Sequence, residues 1–90
     1  MNEEEFDKHK ETIENYIIEE LILRVPDLIN FTIHKLPVIL EKDTEYIFFI
    51  SENVKENEIA GLKRVIVSKL LECYDNLNLE YDFIIVFASY

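Results

Sequence analysis

Ninety residues set the scale of a single α+β domain over 1–90, and 49% hydrophobic residues with five Tyr and six Phe carry too much apolar surface for a disordered acidic tail. Nine Lys and Arg stand against 19 Asp and Glu, a formal charge of −10, which repels phosphate backbones and anionic lipid and so argues against direct nucleic-acid or membrane binding. Cys73 stands alone, so no intrachain disulfide can form. The opening MNEEEFDKHKE lacks the basic start and apolar run of a signal peptide, and no stretch approaches the roughly 18 apolar residues of a membrane span, so a cytoplasmic location is expected.

In chain order, Asn2 reads as a helix N-cap with Glu5 three residues on, while Glu3, Glu4 and Asp7 complement the positive end of the helix dipole. The helix is expected over Glu3 to Arg24, with Phe6, Ile13, Ile17 and Leu21 on its inner side. Glu4, Asp7, Glu11 and Glu14 recur at i, i+3, i+7 and i+10 on the far side. Pro26 ends this helix, because a proline drives the residue before it out of the α region. Ile29, Phe31 and Ile33 then alternate with polar residues, but Leu36, Val38 and Leu40 carry the apolar phase on even numbers. That slip near Lys35 to Pro37 reads as a bulge in one bent strand reaching Leu40. A charged turn, Glu41 to Thr44, leads into a second strand over Tyr46 to Ile50.

Asn53 is the expected cap of the second helix, with Glu56 at the capping-box position and a span of Lys55 to Asp75. Ile59, Leu62, Ile66, Leu70 and Cys73 form one apolar stripe. Ala60, Val67, Leu71 and Tyr74 form a neighbouring one, an arc wider than packing on a sheet alone requires. Asn76 and Asn78 mark the exit. The last strand, within Tyr81 to Tyr90, has no polar residue from Phe83 to Ala88, so both of its faces favour leaving water.

The order α, β, β, α, β predicts a two-layer sandwich with both helices on one face of a three-stranded sheet. A strand–helix–strand crossover favours parallel strands, which places the last strand beside the first in order 2-1-3, with a mixed sheet that puts the last strand beside the second as the alternative. The expected core is Ile13, Ile17, Leu21, Phe31, Ile33, Ile47, Phe49, Leu62, Ile66, Leu70, Phe83, Ile85 and Phe87. The sheet face away from the helices then lacks a cover, and a homodimer through the sheet or the second helix is the expected remedy.

No glycine-rich phosphate loop can be built, since the only glycine, Gly61, sits within the second helix. Ser51, Ser68, Ser89 and Cys73 have no nucleophile context, and Cys73 reads as a core residue. His9 and His34 are too scattered for a zinc site. His9 with Glu5 at i, i+4 is at most a surface pair, and Glu41, Asp43 and Glu45 lack the loop of a calcium hand. No catalytic residue, metal or cofactor is therefore expected. The element order resembles the cytoplasmic αββαβ domain of cation-diffusion transporters, which implies a dimer and bound metal, although no ligand cluster matches and no residue carries over. In size and charge the chain also resembles the small acidic inhibitors that shield nucleases. The expected function is a non-enzymatic inhibitor, immunity or antitoxin-like protein that takes a basic partner on Glu4, Asp7, Glu11 and Glu14 together with Glu41, Asp43 and Glu45. The alternative is a homodimeric regulatory or sensor domain binding a metal or small ligand.

Overall fold

A computed structural model describes residues 1–36 and 43–89. Its elements are α1 (Glu3–Ile17), a π turn (Ile18–Ile22), β1 (Leu28–Lys35), β2 (Thr44–Ile50), α2 (Glu56–Asn76) and β3 (Phe83–Ser89), an α+β fold in the expected αββαβ order. Asn2 caps α1: its side-chain Oδ1 accepts from the Glu5 backbone N–H at 2.8 Å, satisfying one of the donors that a helix start leaves without partners. The Met1 side chain is buried and its ammonium pairs with Asp82.

The first helix does not continue as an α-helix to Arg24. Its backbone widens after Ile17, and the Leu23 N–H reaches the Ile18 carbonyl five residues back at 3.0 Å. The apolar pattern accounts for this. Ile13, Ile17 and Leu21 are all buried, yet four α-helical residues overshoot a full turn by about 40°. A wider turn takes that drift back and returns Leu21 to the inner stack. The Val25 N–H closes on the Leu21 carbonyl at 2.9 Å, and Pro26 stops the helix.

The sheet has the order β1-β2-β3, with β1 antiparallel and β3 parallel to β2. This corrects the expected order 2-1-3: β2, not β1, is central. With β2 in the middle, both the hairpin and the β2–α2–β3 crossover join immediate neighbours. The residues agree, because YIFFI is apolar on both faces whereas β1 carries Asn30, Thr32 and His34 on one. The irregularity in β1 falls between Leu28 and Asn30 instead of near Lys35, and an exposed Ile29 lets both Leu28 and Phe31 point inward. β1 ends at Lys35; the expected extension to Leu40, with Pro37, lies outside the described residues.

Register fixes which side chains meet the helices. Thr44, Tyr46, Phe48 and Ile50 are buried against them, and their β3 partners are Phe83, Ile85, Phe87 and Ser89. Ile47 and Phe49, expected in the core, therefore lie on the opposite face with Ile84, Val86 and Ala88. The core also takes in Met1, Phe6, Leu28, Cys73 and Tyr74, while Phe31, Ile33, Leu62, Phe83, Ile85 and Phe87 pack against it partly buried.

At the start of α2 the cap is Lys55 and not Asn53. Glu58 Oε2 accepts from the Lys55 backbone N–H at 3.4 Å, while the Asn53 N–H is used by Ser51 Oγ at 3.2 Å. The far end is a Schellman stop. The Leu79 N–H reaches the Tyr74 carbonyl at 2.9 Å and the Asn78 N–H the Asp75 carbonyl at 3.1 Å. Asn78 sits at φ 58°, the left-handed region that Asn tolerates better than most side chains.

Candidate functional site

α1 sorts its side chains by period. Phe6, Ile13 and Ile17 are buried, which pins one face of the helix to the core. Glu4, Asp7 and Glu11 are therefore turned outward and are exposed, with a half-buried Glu14 at the end of the row. Glu14 meets Lys10 at 4.0 Å, and Lys10 also stands over the Phe6 ring, 5.7 Å from its centroid. Glu4, Asp7 and Glu11 make no ion pair among the described residues.

The charge is distributed unevenly over the fold. Residues 3–22 hold eight carboxylates against Lys8 and Lys10, whereas α2 holds four against Lys63, Arg64 and Lys69. Within the α1 row, Glu4–Asp7, Asp7–Glu11 and Glu11–Glu14 are like-charge neighbours, each costing about 0.2–0.5 kcal/mol of helix stability. A cationic surface laid along that row relieves this repulsion. Further along the chain, Glu20 is largely neutralised, with Arg24 Nε at 3.7 Å and Lys69 Nζ at 3.6 Å.

Of the other three carboxylates expected at the site, Glu45 does not join this row. Glu45 is a β2 residue pointing to the sheet face away from the helices, opposite His34 in register. Asp43 is half-buried beside it, its carbonyl accepting from the Leu36 N–H at 3.1 Å. Glu41 lies outside the described residues. α1 covers one side of the sheet and Glu45 projects from the other, so the structure separates the helix row from Glu45.

Among the groups that could carry chemistry, Cys73 is buried, and burial followed by the charge of Glu72 pushes its thiol up to about 11. The Tyr46 and Tyr74 hydroxyls meet at 2.7 Å inside the core. Burial raises both phenols, Tyr74 to about 12. Phe83 packs edge-on against both rings, its centroid 4.9 Å from that of Tyr74 and 6.0 Å from that of Tyr46. Tyr16 is likewise pushed up to about 12, by burial first and then by Glu72. Among the described residues no group of three or more His, Cys, Asp or Glu is placed to hold a metal ion.

A second surface lies on the opposite side of α2 from Lys69. An open groove of about 830 Å³ runs along Ala60, Val67 and Leu71, bordered by Lys63 and Arg64 towards one end and by Glu72 and Asp75 towards the other. A smaller hollow of about 330 Å³ links Lys63 and Val67 to Phe83, Ile84 and Ile85. The sequence signal for this surface is the second apolar stripe of α2, from which only Tyr74 turns into the core.

No protein-family model matches the chain, and no curated protein or solved structure does. Among the described residues no helix is long and apolar enough to cross a membrane.

Proposed function

We propose that this protein is a non-enzymatic binding module that engages a basic macromolecule, in the manner of an inhibitor, immunity protein or antitoxin acting in the cytoplasm. The observation that carries the reading is the row of outward carboxylates on α1: Glu4, Asp7 and Glu11 make no ion pair among the described residues, and the helix beneath them is anchored by Phe6, Ile13 and Ile17. Carboxylates held on a rigid element need little ordering when they meet Arg and Lys, and they form charge-assisted hydrogen bonds there. The eight carboxylates that residues 3–22 hold against two lysines also steer a cationic partner to that side. Burial keeps the Cys73 thiol and the Tyr46 and Tyr74 phenols protonated near neutrality, which fits structural roles for all three. Glu45 is set on the other side of the sheet, so the proposal rests on the helix row alone.

The test is capture from an extract of the source cell by wild type and by a variant carrying Glu4→Lys, Asp7→Lys, Glu11→Lys and Glu14→Lys. Basic proteins retained by the wild type should be lost from the variant. They should also be lost at about 0.5 M salt, where screening acts over roughly 4–5 Å. Equal capture by both forms overturns the acidic-surface reading.

A further inference from the structure

We infer that the free edge of β3 and the adjoining flank of α2 form a two-fold interface with a second copy of this chain, β3 pairing antiparallel with β3 and α2 lying antiparallel beside α2. The inference is independent of the acidic row on α1.

The two edges of the sheet are built differently. β1 is blunted by the bulge at Ile29 and carries His34 and Lys35, devices that discourage edge-to-edge pairing. β3 has neither. From Phe83 to Ser89 it contains no charge and no proline, it runs in unbroken register with β2, and β2 is its one strand partner among the described residues. An apolar, regular edge of this kind is a template for another strand. Antiparallel pairing of β3 with its own copy uses both free edges at once and leaves only the blunted β1 edges outside, so the assembly closes at two.

The flank of α2 is self-complementary. Lys63 and Arg64 precede the apolar centre of the groove, and Glu72 and Asp75 follow it. Turned end for end about a point near Ser68, the helix brings Lys63 and Arg64 of one copy to Glu72 and Asp75 of the other, with Val67 and Leu71 between them. The objection that a chain of charge −10 should repel its copy is met at the contact itself, where Lys63 and Arg64 balance Glu72 and Asp75, while residues 3–22, with eight carboxylates against two lysines, hold much of the acidic excess elsewhere.

One axis serves both elements. Tyr74 and Phe83 are level, their ring centroids 4.9 Å apart, and α2 runs opposite to β3. From Phe83, three strand residues rise about 10 Å to Val86, the midpoint of β3. From Tyr74, six helix residues travel back about 9 Å to Ser68, the centre of the charge pattern. The centre of the strand and the centre of the charge pattern thus stand at the same height. Strands about 4.8 Å apart and helices about 8–10 Å apart are the spacings such a pair of layers adopts.

The experiment is sedimentation equilibrium at micromolar concentration on wild type, on Lys63→Glu/Arg64→Glu, on Glu72→Lys/Asp75→Lys, and on an equal mixture of the two variants. All four positions are exposed, but Glu72 also pairs with Lys69 and Asp75 accepts from the Tyr81 hydroxyl, so far-ultraviolet circular dichroism and the melting temperature must show each variant folded as wild type. Wild type should sediment at twice the 10.8 kDa chain mass. Each variant alone should dissociate about tenfold more readily or worse, because every cross-copy pair becomes like-charged. The mixture should recover dimer, since acid then faces base at both ends. A monomeric wild type overturns the inference. So does a dimer indifferent to both reversals, which would place self-association on the open sheet face, and so does a mixture that stays monomeric.

Discussion

Removing the hydroxyl of Tyr46 or Tyr74 one at a time and then together tests the physical account of the core. Both side chains are fully buried and their oxygens are 2.7 Å apart. Tyr→Phe keeps the ring packing against Phe83 and deletes a single atom, so the cost is the lost hydrogen bond plus the stranding of the surviving hydroxyl, about 1–3 kcal/mol. The two variants should not be equal. Thr44 Oγ1 is buried near enough to influence the Tyr74 hydroxyl yet makes no hydrogen bond. After Tyr46→Phe, Tyr74 can turn to it, whereas Tyr74→Phe leaves both Tyr46 and Thr44 alone. Tyr74→Phe should therefore cost more. A loss of about 2 kcal/mol lowers the midpoint of a domain this size by about 8–16 °C. With both hydroxyls gone nothing is stranded by the pair, and Tyr46→Phe/Tyr74→Phe should be closer to wild type than the worse single variant. Urea unfolding followed by circular dichroism, with unchanged m, reads all four proteins. A double variant as unstable as the sum of the singles refutes the coupling.

Four further outcomes follow from the same structure. Stability should be complete below pH 9 and fall as pH rises towards 12. Burial lifts Cys73 from 9.0 to about 11 and Tyr74 from 10.0 to about 12, so the unfolded chain releases those protons first and gains from rising pH; a melting temperature flat to pH 11 would contradict this. Gly61→Ala should stabilise by about 0.5–1 kcal/mol, since an added Cβ meets nothing within 4 Å on an exposed stretch of α2. Asn78→Val should destabilise by about 1–2 kcal/mol and Asn78→Gly by little or nothing, because φ 58° suits glycine and strains a β-branched residue. Asn2→Ala should cost about 1 kcal/mol by removing the Oδ1 acceptor of the Glu5 N–H, measured by the same urea titration.

The element order and the caps at Asn2 and Asn78 were legible in the sequence because each rests on local chemistry: an apolar period, a side-chain oxygen before a helix, a left-handed turn after one. The inward face of β2 was not legible. YIFFI is apolar at both parities, so alternation gives no phase, and the choice of Tyr46 and Phe48 over Ile47 and Phe49 is made by the register with β1 and by the Tyr46–Tyr74 hydroxyl contact. Strand order was hidden for a related reason. The handedness of a crossover limits which strands run parallel without saying which pair touches, so β3 could lie beside β1 or beside β2, and it lies beside β2. The π turn was invisible because α and π spacings differ only after Ile17, in a stretch that is apolar almost all round. For the candidate site, the α1 row was readable from its spacing. The separation of Glu45 from it depends on β2 parity, and so could not be read.

The claim that α1 is the binding surface is tested most directly by the association rate of a captured basic partner with the wild-type protein, followed by stopped flow across a range of ionic strength. Electrostatic steering by the α1 row predicts a rate that falls more than about tenfold from low salt to about 0.5 M. It also predicts, for the variant with Glu4→Lys, Asp7→Lys, Glu11→Lys and Glu14→Lys, a rate that is slow at low salt and does not fall as salt rises. A wild-type rate that does not change with salt, or a variant that associates as fast as wild type, would contradict the account.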